Sequence, residues 1–597
     1  MSVPVDNLST NIPQANPPAP IGRAPDERVH EIGFVAVGSN SDQRYVGPSS
    51  GHFLARAMLS RTLRNSNEPE RINDPSSSFS PSIINELVKA ARGPLPLPEK
   101  HTALQLSRVY FDIIHPQYPI LHEPSFFLAL DQIYEHNDGY SDMDKPILFQ
   151  VYIVLAISSS IVSSRARFHV PGESYCLSAL QYFDELSIEN SLSGLQCLLL
   201  LLIFTLHSPF MRVNVWYVNY QCIACLLDLG LQRDITTSSG ISLLTQEMRT
   251  RVFWTVLALD RTIATMMGRP IGLRDEACEL RFPQNIDDHD LVGVSAPNEE
   301  ATGAISFSIH LFKLTKLNSE IKYVANSIVR QAPPYAYLPI TDIHAWNQDM
   351  LRQLDEWVAE IPQSNHHQFI RIVCELRYLS VKMLLLRPSP AIPTPSSASL
   401  TACHEVACRS IQLYGQLYRQ DMLVHDWITL HGIVFSTITM LYCLRVVPDL
   451  APKTKLDVVM SDLSLSLSLI SASGEHWSGA KRCREILDEL GRSTVQGIKN
   501  LGTPQVNHRG SREGEEANPN ASSSTASIPY TQAPVDILTT GGDAGLGFIP
   551  SLATPPSIAP GMLANDTFLF NPVDQYGFSD SINVDDIMRN LFDDFIP

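Results

Sequence analysis

Two histidines occur in the stretch YFDIIHPQYPILHEPSFF, residues 110–127, together with acidic residues and three prolines. The side chains that could hold a metal ion are His115, His122, Asp112 and Glu123. Zinc ligands are usually paired two to five residues apart, whereas these histidines are seven apart. The prolines favour a structured connection between two helices, in which Ser125 could cap the second helix. We therefore expect a structural role here and no metal site.

The pentapeptide GPSSG, residues 47–51, has the spacing of the nucleophile elbow of hydrolases, in which Ser49 would be the nucleophile. That elbow requires a buried strand before it and a doubly wound sheet around it. The preceding SDQRYV is short and polar, and the chain that follows has a helical pattern. A hydrolase that uses Ser49 or His115 is a minor alternative, and we predict no catalytic residue.

Two cysteine clusters also lie in helical patterns rather than in metal-binding loops. Cys222 and Cys225 form C-x-x-C without a second pair at zinc-site spacing, and Cys403 and Cys408 flank His404. We expect buried structural thiols and no cofactor. Asp260 and Arg261 could form an ion pair with Arg269 at a helix end. We interpret this pair as architectural, and Walker and dinucleotide motifs are missing.

The elements that would position these residues are helices, from Leu104 to Gly491. LQLSRVYFDII has apolar residues at helical spacing and should stop before Pro116. Gly230, followed by Leu231, is typical of a helix stop in which Leu231 packs on Leu226. The run LLLLLIFTL is too short for a membrane span and predicts a buried helix. The pattern predicts an all-α fold.

Composition divides the chain into three parts. Residues 1–40 are rich in Pro, Asn and Ser, and we expect a disordered N-terminal segment. Residues 41–500 should form the helical domain, with a linker near 65–82. Residues 501–597 are expected to be a disordered acidic tail, in which three Lys and Arg residues stand against twelve Asp and Glu residues.

Charge argues against a simple nucleic-acid binder, because phosphate recognition usually requires a basic patch. The whole chain has a formal net charge of −18 and no strongly basic segment. It opens without an apolar signal region, which indicates an intracellular protein, and we expect no membrane partner.

Several stretches, taken in order, resemble the middle homology region of fungal zinc-cluster transcription factors. Their spacing along the chain is more specific than any single piece. The matching stretches are RYVGPSSG (residues 44–51), YFDIIHPQYPILHEPSF (110–126), ACLLDLGLQRD (224–234), RTRVFWTVLALDRTIATMMGRPIGLRDEACELRFP (249–283), LLLRPSP (384–390) and HWSGAKRCREILDEL (476–490). The resemblance implies an all-helical regulatory domain in which the His-Pro loop is not a catalytic centre.

The chain departs from that family at its N-terminal part. Family members usually carry six cysteines that hold two zinc ions beside a basic stretch, whereas the first cysteine here is Cys176. Residues 1–100 have balanced charge. The zinc cluster is therefore expected to be lacking, and DNA binding is expected only if a cluster is supplied elsewhere, by missing exons or by a DNA-bound partner.

The resemblance implies a nuclear transcription regulator. We expect an activator of a dedicated metabolic or secondary-metabolite gene set that acts through the helical domain and the acidic tail. A homodimer or a DNA-binding partner is compatible with this role. The alternative is an adaptor or inhibitor that binds full-length relatives without contacting DNA.

The end of the chain, SINVDDIMRNLFDDFIP (residues 581–597), has the pattern of an activation segment. Its apolar residues fall on one helical stripe: Val584, Ile587, Met588, Leu591, Phe592 and Phe595. About 12 residues make a marginal helix in water, so we expect this segment to fold when it docks on a coactivator. The rival interpretation is a terminal helix that packs on the chain's own domain.

Overall fold

The computed structural model describes the helical region almost continuously. The described residues are 33–36, 43–50, 54, 93–135, 144–166, 170–188, 191–209, 213–234, 240–279, 281–291, 303–326, 340–363 and 368–502. The predicted linker near 65–82 lies outside them, as does the predicted tail 501–597 apart from its first two residues. The predicted N-terminal segment 1–40 also lies outside them, except for residues 33–36, which form a strand.

Fifteen α-helices dominate the described residues. In chain order they are α1 Lys100–Ile113, α2 Glu123–Glu135, α3 Lys145–Ala166, α4 Gly172–Leu180, α5 Leu192–His207, α6 Val215–Asp228, α7 Leu243–Met267, α8 Ala304–Ala325, α9 Ile343–Ala359, α10 Gln368–Leu386, α11 Ser397–Arg419, α12 Trp427–Val446, α13 Leu450–Lys453, α14 Leu456–Ser473 and α15 Ser478–Gly502. The strands of this part are β1 (Gly33–Ala36) and β2 (Gln43–Val46), an antiparallel pair with Phe34 opposite Tyr45. The all-α prediction is confirmed, and the hairpin is the one addition to it.

Helix ends are set by short polar side chains and by glycine. Ser191, Asn214 and Asp426 each accept a hydrogen bond from a backbone N–H of the helix that they precede, which satisfies a donor left free at the helix start. At the end of α6, the backbone N–H of Leu231 donates to the Leu226 carbonyl across a left-handed Gly230. The helix stop predicted at this glycine is confirmed.

Neighbours in the chain are mostly neighbours in the bundle. Helix α3 packs on α1, α4 and α5, and α5 leads through α6 to α7. A second group, α7, α8 and α10, continues into α11 and α12, while α14 and α15 cover α12. Because α12 also contacts α5, the two groups share one hydrophobic core.

Apolar composition follows burial. In α5, nearly every residue from Leu195 to Leu206 is buried, as predicted for LLLLLIFTL. By contrast, α9 buries only one stripe, Met350, Leu354 and Trp357, which is the spacing of an amphipathic helix on a surface.

Three described helices, α3, α12 and α14, are long and apolar enough to cross a membrane by length and composition alone. Inside the bundle, 67% of the apolar window of α3 is buried, 83% of that of α12 and 44% of that of α14. Packing against other helices therefore accounts for most of the apolar surface of α3 and α12.

Candidate functional site: a buried polar centre around the end of α7

The loop that joins α1 to α2 is anchored on a distant short helix, Asp288–Asp290. His122 Nε2 lies 2.8 Å from the Asp288 backbone oxygen, and His115 Nε2 lies 3.6 Å from the Asp288 carboxylate. The backbone N–H of Glu123 donates to the same carboxylate at 2.7 Å. One acidic residue therefore fixes both ends of the loop.

The same loop ends in a cap that differs from the predicted one. Helix α2 begins at Glu123, so Ser125 lies inside its first turn. His122 Nδ1 lies 2.7 Å from Ser125 Oγ and accepts from the Ser125 backbone N–H at 3.4 Å. The cap is therefore the ring of His122, and the prediction of Ser125 as cap was wrong. Three apolar loop residues are buried in the core as expected: Tyr118, Ile120 and Leu121.

An arginine balances the charge of this loop. Burial lowers the pKa of His115 to about 4 despite the nearby Asp288 carboxylate, so His115 is neutral near pH 7. Asp288 instead pairs with the fully buried Arg251, which also donates to the Ile286 carbonyl at 2.8 Å. Among the described residues, no group of three or more His, Cys, Asp or Glu side chains is placed to hold a metal ion.

Residues 47–50 of the GPSSG stretch dock on the end of α7. Ser49 Oγ donates to the Thr265 carbonyl at 2.9 Å, and Ser50 Oγ donates to the Gly47 carbonyl at 2.7 Å. A Cβ on Gly47 would lie 1.7 Å from the Gly268 oxygen, so two backbones meet here. Gly268 has φ 68°, a left-handed conformation that favours glycine. The GRP sequence ends α7 as predicted, but through a left-handed cap at Gly268 rather than an extended turn.

Two buried cations converge on Ser49. Lys322 of α8 donates through Nζ to Ser49 Oγ at 2.5 Å and to the Ala264 carbonyl at 3.3 Å. Arg387, which follows α10, donates to the Ser49 carbonyl. Burial, with the charge of Arg387 as a second cause, lowers the pKa of Lys322 to about 7, and burial lowers the pKa of Arg387 to about 10. The first matched stretch of the sequence is thus held by cations from α8 and α10.

A serine beside a lysine of low pKa is also an arrangement that can activate a nucleophile. Here, however, Ser49 is 1% exposed and Lys322 is 7% exposed, so neither side chain reaches a substrate in this conformation. The preceding strand β2 pairs with β1 in a two-stranded hairpin instead of a doubly wound sheet. The GPSSG match lacks the structural setting that a nucleophile elbow requires.

Asp260 and Arg261 form a buried network with the loop after α7. Arg261 is 1% exposed and donates to Asp260 at 2.9 Å and to Asp275 at 2.5 Å. Asp260 also accepts from Asn219 at 3.0 Å and from the backbone N–H of Gly272 at 3.0 Å. The ion pair is architectural, since it ties α6, α7 and the following loop together.

Arg269, the other residue predicted to join this pair, has a different contact. Its guanidinium lies over the ring of Trp216, 4.9 Å from the ring centroid, which is a cation–π contact. The loop turns after Gly268 and carries Asp275, which lies further along the chain, to Arg261. Sequence spacing alone gave no sign of that return.

The cysteines are free thiols, as predicted. Cys222, Cys225 and Cys403 are buried, and Cys408 is partly exposed with its Sγ 3.7 Å from His404 Nε2. Burial raises the pKa of Cys408 to about 12, so this thiol stays protonated near pH 7. Protonated thiols are poor nucleophiles and metal ligands, which fits a structural role.

Beside this polar centre lies a cavity of about 80 Å³ between α7, α8, α10 and the His-Pro loop. Its polar lining residues are Gln117, Arg261, Thr262, Thr265, Thr315, Asn318, Arg377 and Ser380. Sequence reasoning missed both the cavity and the cations beside it.

The missed signal lies on α8. A stripe of polar residues at helical spacing is buried there: Thr315, Asn318, Ser319, Lys322 and Asn326. Such a stripe in a sequence is ordinarily the solvated face of a helix. Only the packing of α7 and α10 on this face shows that it is internal.

The predicted activation segment lies outside the described residues. Its apolar residues Val584, Ile587, Met588, Leu591, Phe592 and Phe595 therefore remain a prediction from the sequence.

Comparison with known proteins identifies the region that contains this centre. Residues 108–359 match the profile of the fungal specific transcription factor domain. That range includes the His-Pro loop, α7 and α8, whereas Ser49, Arg377 and Arg387 lie outside it.

Three relatives are transcription-related by name or share this region. The positive regulator of purine utilization of Emericella nidulans is 24% identical over 78% of this chain and 55% of its own length. Protein STB5 of Saccharomyces cerevisiae is 24% identical over 64% of this chain and 52% of its own length. Pyrimidine pathway regulatory protein 1 of the same yeast is 22% identical over 68% and 53%.

The chain spans about half the length of these curated relatives. The profile match, the relatives and the helical fold agree with one another and with the motifs of the sequence. The chain therefore carries a fungal specific transcription factor domain at residues 108–359.

Proposed function

We propose that the protein is a nuclear transcription regulator that activates a dedicated set of metabolic genes. The observation that carries this proposal is the match of residues 108–359 to the fungal specific transcription factor domain. A relative that aligns with 78% of the chain is named a positive regulator of purine utilization, and another is named a pyrimidine pathway regulatory protein. These names support metabolic targets, and a secondary-metabolite gene set belongs to the same proposal.

The helical domain is the regulatory part of the proposed activator. Its buried centre joins residues 47–50, α7, α8 and the end of α10 through Ser49, Lys322 and Arg387. A change at one of these elements must be accommodated by the others, because packed interiors transmit strain. This coupling is the property that a regulatory domain needs.

The acidic tail is the proposed activating part. Residues 501–597 carry nine more acidic than basic residues, and their last stretch combines an apolar helical stripe with four aspartates. An apolar face of this kind suits a hydrophobic groove on a coactivator, while the acids keep it solvated and steer it toward a basic partner.

The experiment is a fusion of residues 561–597 to a foreign DNA-binding domain at a reporter gene. We expect activation by the parent segment and its loss when Leu591, Phe592 and Phe595 are all replaced by Ala. The matched control replaces three polar residues of the same segment, Ser579→Ala, Asn583→Ala and Asn590→Ala, and should retain most of the activity. A silent parent fusion, or a fully active apolar triple variant, would contradict the proposal and favour the adaptor role.

A further inference from the structure

The cavity between α7, α8 and α10 has two walls of different chemistry. The apolar wall consists of Ala258, Met266, Leu311, Leu314, Val381 and Leu384. The polar wall includes Arg377 of α10 and Asn318 of α8. An internal space lined in this way excludes most water from the apolar side and leaves a few polar groups to orient a guest.

Asn318 is a buried polar side chain with an unused acceptor. The residue is 8% exposed, and its Nδ2 donates weakly to Thr265 Oγ1 at 3.4 Å. Its Oδ1 is buried and has no hydrogen-bond partner within the part of the chain that the structure describes. Leaving such an atom unpaired is costly, so a guest with a hydrogen-bond donor would gain from binding here.

Arg377 provides an uncompensated charge on the same cavity. Its side chain is half-buried and forms no hydrogen bond or ion pair with any residue of the described ranges. The other arginine of the lining, Arg261, is already neutralised by Asp260 and Asp275. The free guanidinium is suited to a carboxylate, which it can bind in a two-pronged manner.

The wider surroundings are also cationic. Lys322 stands one helical turn beyond Asn318 on α8, and Arg387 lies close enough to lower its pKa. Neither Lys322 nor Arg387 forms an ion pair with a carboxylate of the described residues. The interior beside the cavity therefore has more positive than negative charge, which favours an anionic guest.

Cavity volume limits the size of the guest. A water-sized group needs about 10–15 Å³, so a cavity of about 80 Å³ holds roughly five to eight such groups. We propose that this cavity binds a carboxylate of about six non-hydrogen atoms that also carries a hydroxyl group. The carboxylate pairs with Arg377, the hydroxyl donates to Asn318 Oδ1, and the carbon atoms face the leucines. This site goes beyond the transcriptional role and does not depend on it.

The test measures binding of L-lactate and of D-lactate to the purified full chain by titration calorimetry and by thermal unfolding. We expect saturable binding of one lactate enantiomer at one site and a concentration-dependent rise in melting temperature. Propionate, which lacks the hydroxyl, and lactamide, which lacks the charge, should bind at least about tenfold more weakly, because each leaves one cavity group unpaired.

Variants place the site. Arg377→Met should weaken lactate binding at least about tenfold, whereas Arg371→Met, an exposed arginine on the same helix, should leave it unchanged. Asn318→Leu should also abolish binding, and without lactate it should melt no lower than the parent because it removes an unpaired buried atom. It decides the matter if Arg377→Met fails to fold.

Two results would overturn the proposal. One is the lack of saturable binding of either enantiomer up to about 10 mM, a concentration at which even weak sites are filled appreciably. The other is equal binding by the parent, Arg377→Met and Asn318→Leu, which would place any lactate elsewhere on the chain.

Discussion

At the scale of single residues, the least expected side chain is Lys322, a lysine enclosed by α7, α8 and the segment that precedes Leu54. Its ammonium group meets Ser49 and the Ala264 carbonyl, while Arg387 repels it and Asp260 attracts it. Burial is the main reason that its pKa falls to about 7. The sequence could not show this, because Lys322 occupies a polar stripe that looks solvated when α8 is considered alone.

Lys322 should make stability depend on pH in a defined direction. The folded pKa of about 7 lies below the ordinary value of 10.5, so between these values the unfolded chain binds the proton that the folded chain releases. Stability of the parent relative to Lys322→Met should therefore rise as pH increases from 7 toward 10.5. Denaturant unfolding of both proteins at pH 7, 8 and 9 measures this difference.

The control for this titration is Lys313→Met, an exposed lysine on the same helix. Its stability relative to the parent should stay constant over the same pH range. A constant difference for Lys322→Met as well would show that Lys322 is not held in the enclosed position described.

Asp288 is the second residue with a testable role. Replacing it with Ala leaves the fully buried Arg251 without its carboxylate and frees the loop that His115 and His122 anchor. Breaking a buried ion pair in this way should lower the free energy of unfolding by about 3–5 kcal/mol. The double variant Arg251→Met with Asp288→Ala should recover part of that loss in the same denaturant measurement, and no recovery would contradict the pairing.

At the scale of elements, α7 shows how far sequence patterns reach. The expectation that Phe253, Val256 and Ile263 are buried is confirmed, since each is 0% exposed. The helix end at Gly268 was predictable because glycine before Arg-Pro is a strong stop. Its left-handed cap and its contact with Gly47 were not, since they depend on a backbone more than 200 residues away in the chain.

Phe253 offers a direct test of that placement. Phe253→Ala should lower the free energy of unfolding by about 3–5 kcal/mol, because it opens a cavity in the core. Tyr217→Ala, an exposed aromatic residue on α6, should change stability by less than about 0.5 kcal/mol. Denaturant unfolding of the two variants compares them, and equal effects would refute the assignment of Phe253 to the core.

At the scale of the whole molecule, periodicity was enough to predict the helical class because burial in α5 and α12 leaves long apolar runs. The chain order of helices α3 to α8 also follows from short connections between neighbours. The buried polar centre did not follow, because its members Ser49, Asp260, Lys322 and Arg387 are brought together only by tertiary packing. Charge identified the acidic tail but could not give its partner.

Composition also yields a prediction for the whole chain. The first cysteine is Cys176, and the thiols are buried or protonated, so the purified chain should contain less than one zinc ion per molecule. DNA binding by this chain should be weak and strongly reduced by salt, because the net charge is −18. Elemental analysis and a salt titration of DNA binding check both points, and two zinc ions per chain would contradict them.

The central claim is that this chain regulates transcription through its helical domain and its acidic tail. The most direct measurement tethers the full chain, through a foreign DNA-binding domain, to a reporter gene in a fungal host and quantifies reporter transcript. The same fusion without residues 503–597 is the comparison, with protein amounts matched. We predict a clear rise in transcript with the full chain and its loss without the tail. An unchanged transcript level with the full chain, or equal activation by both fusions, would contradict this account.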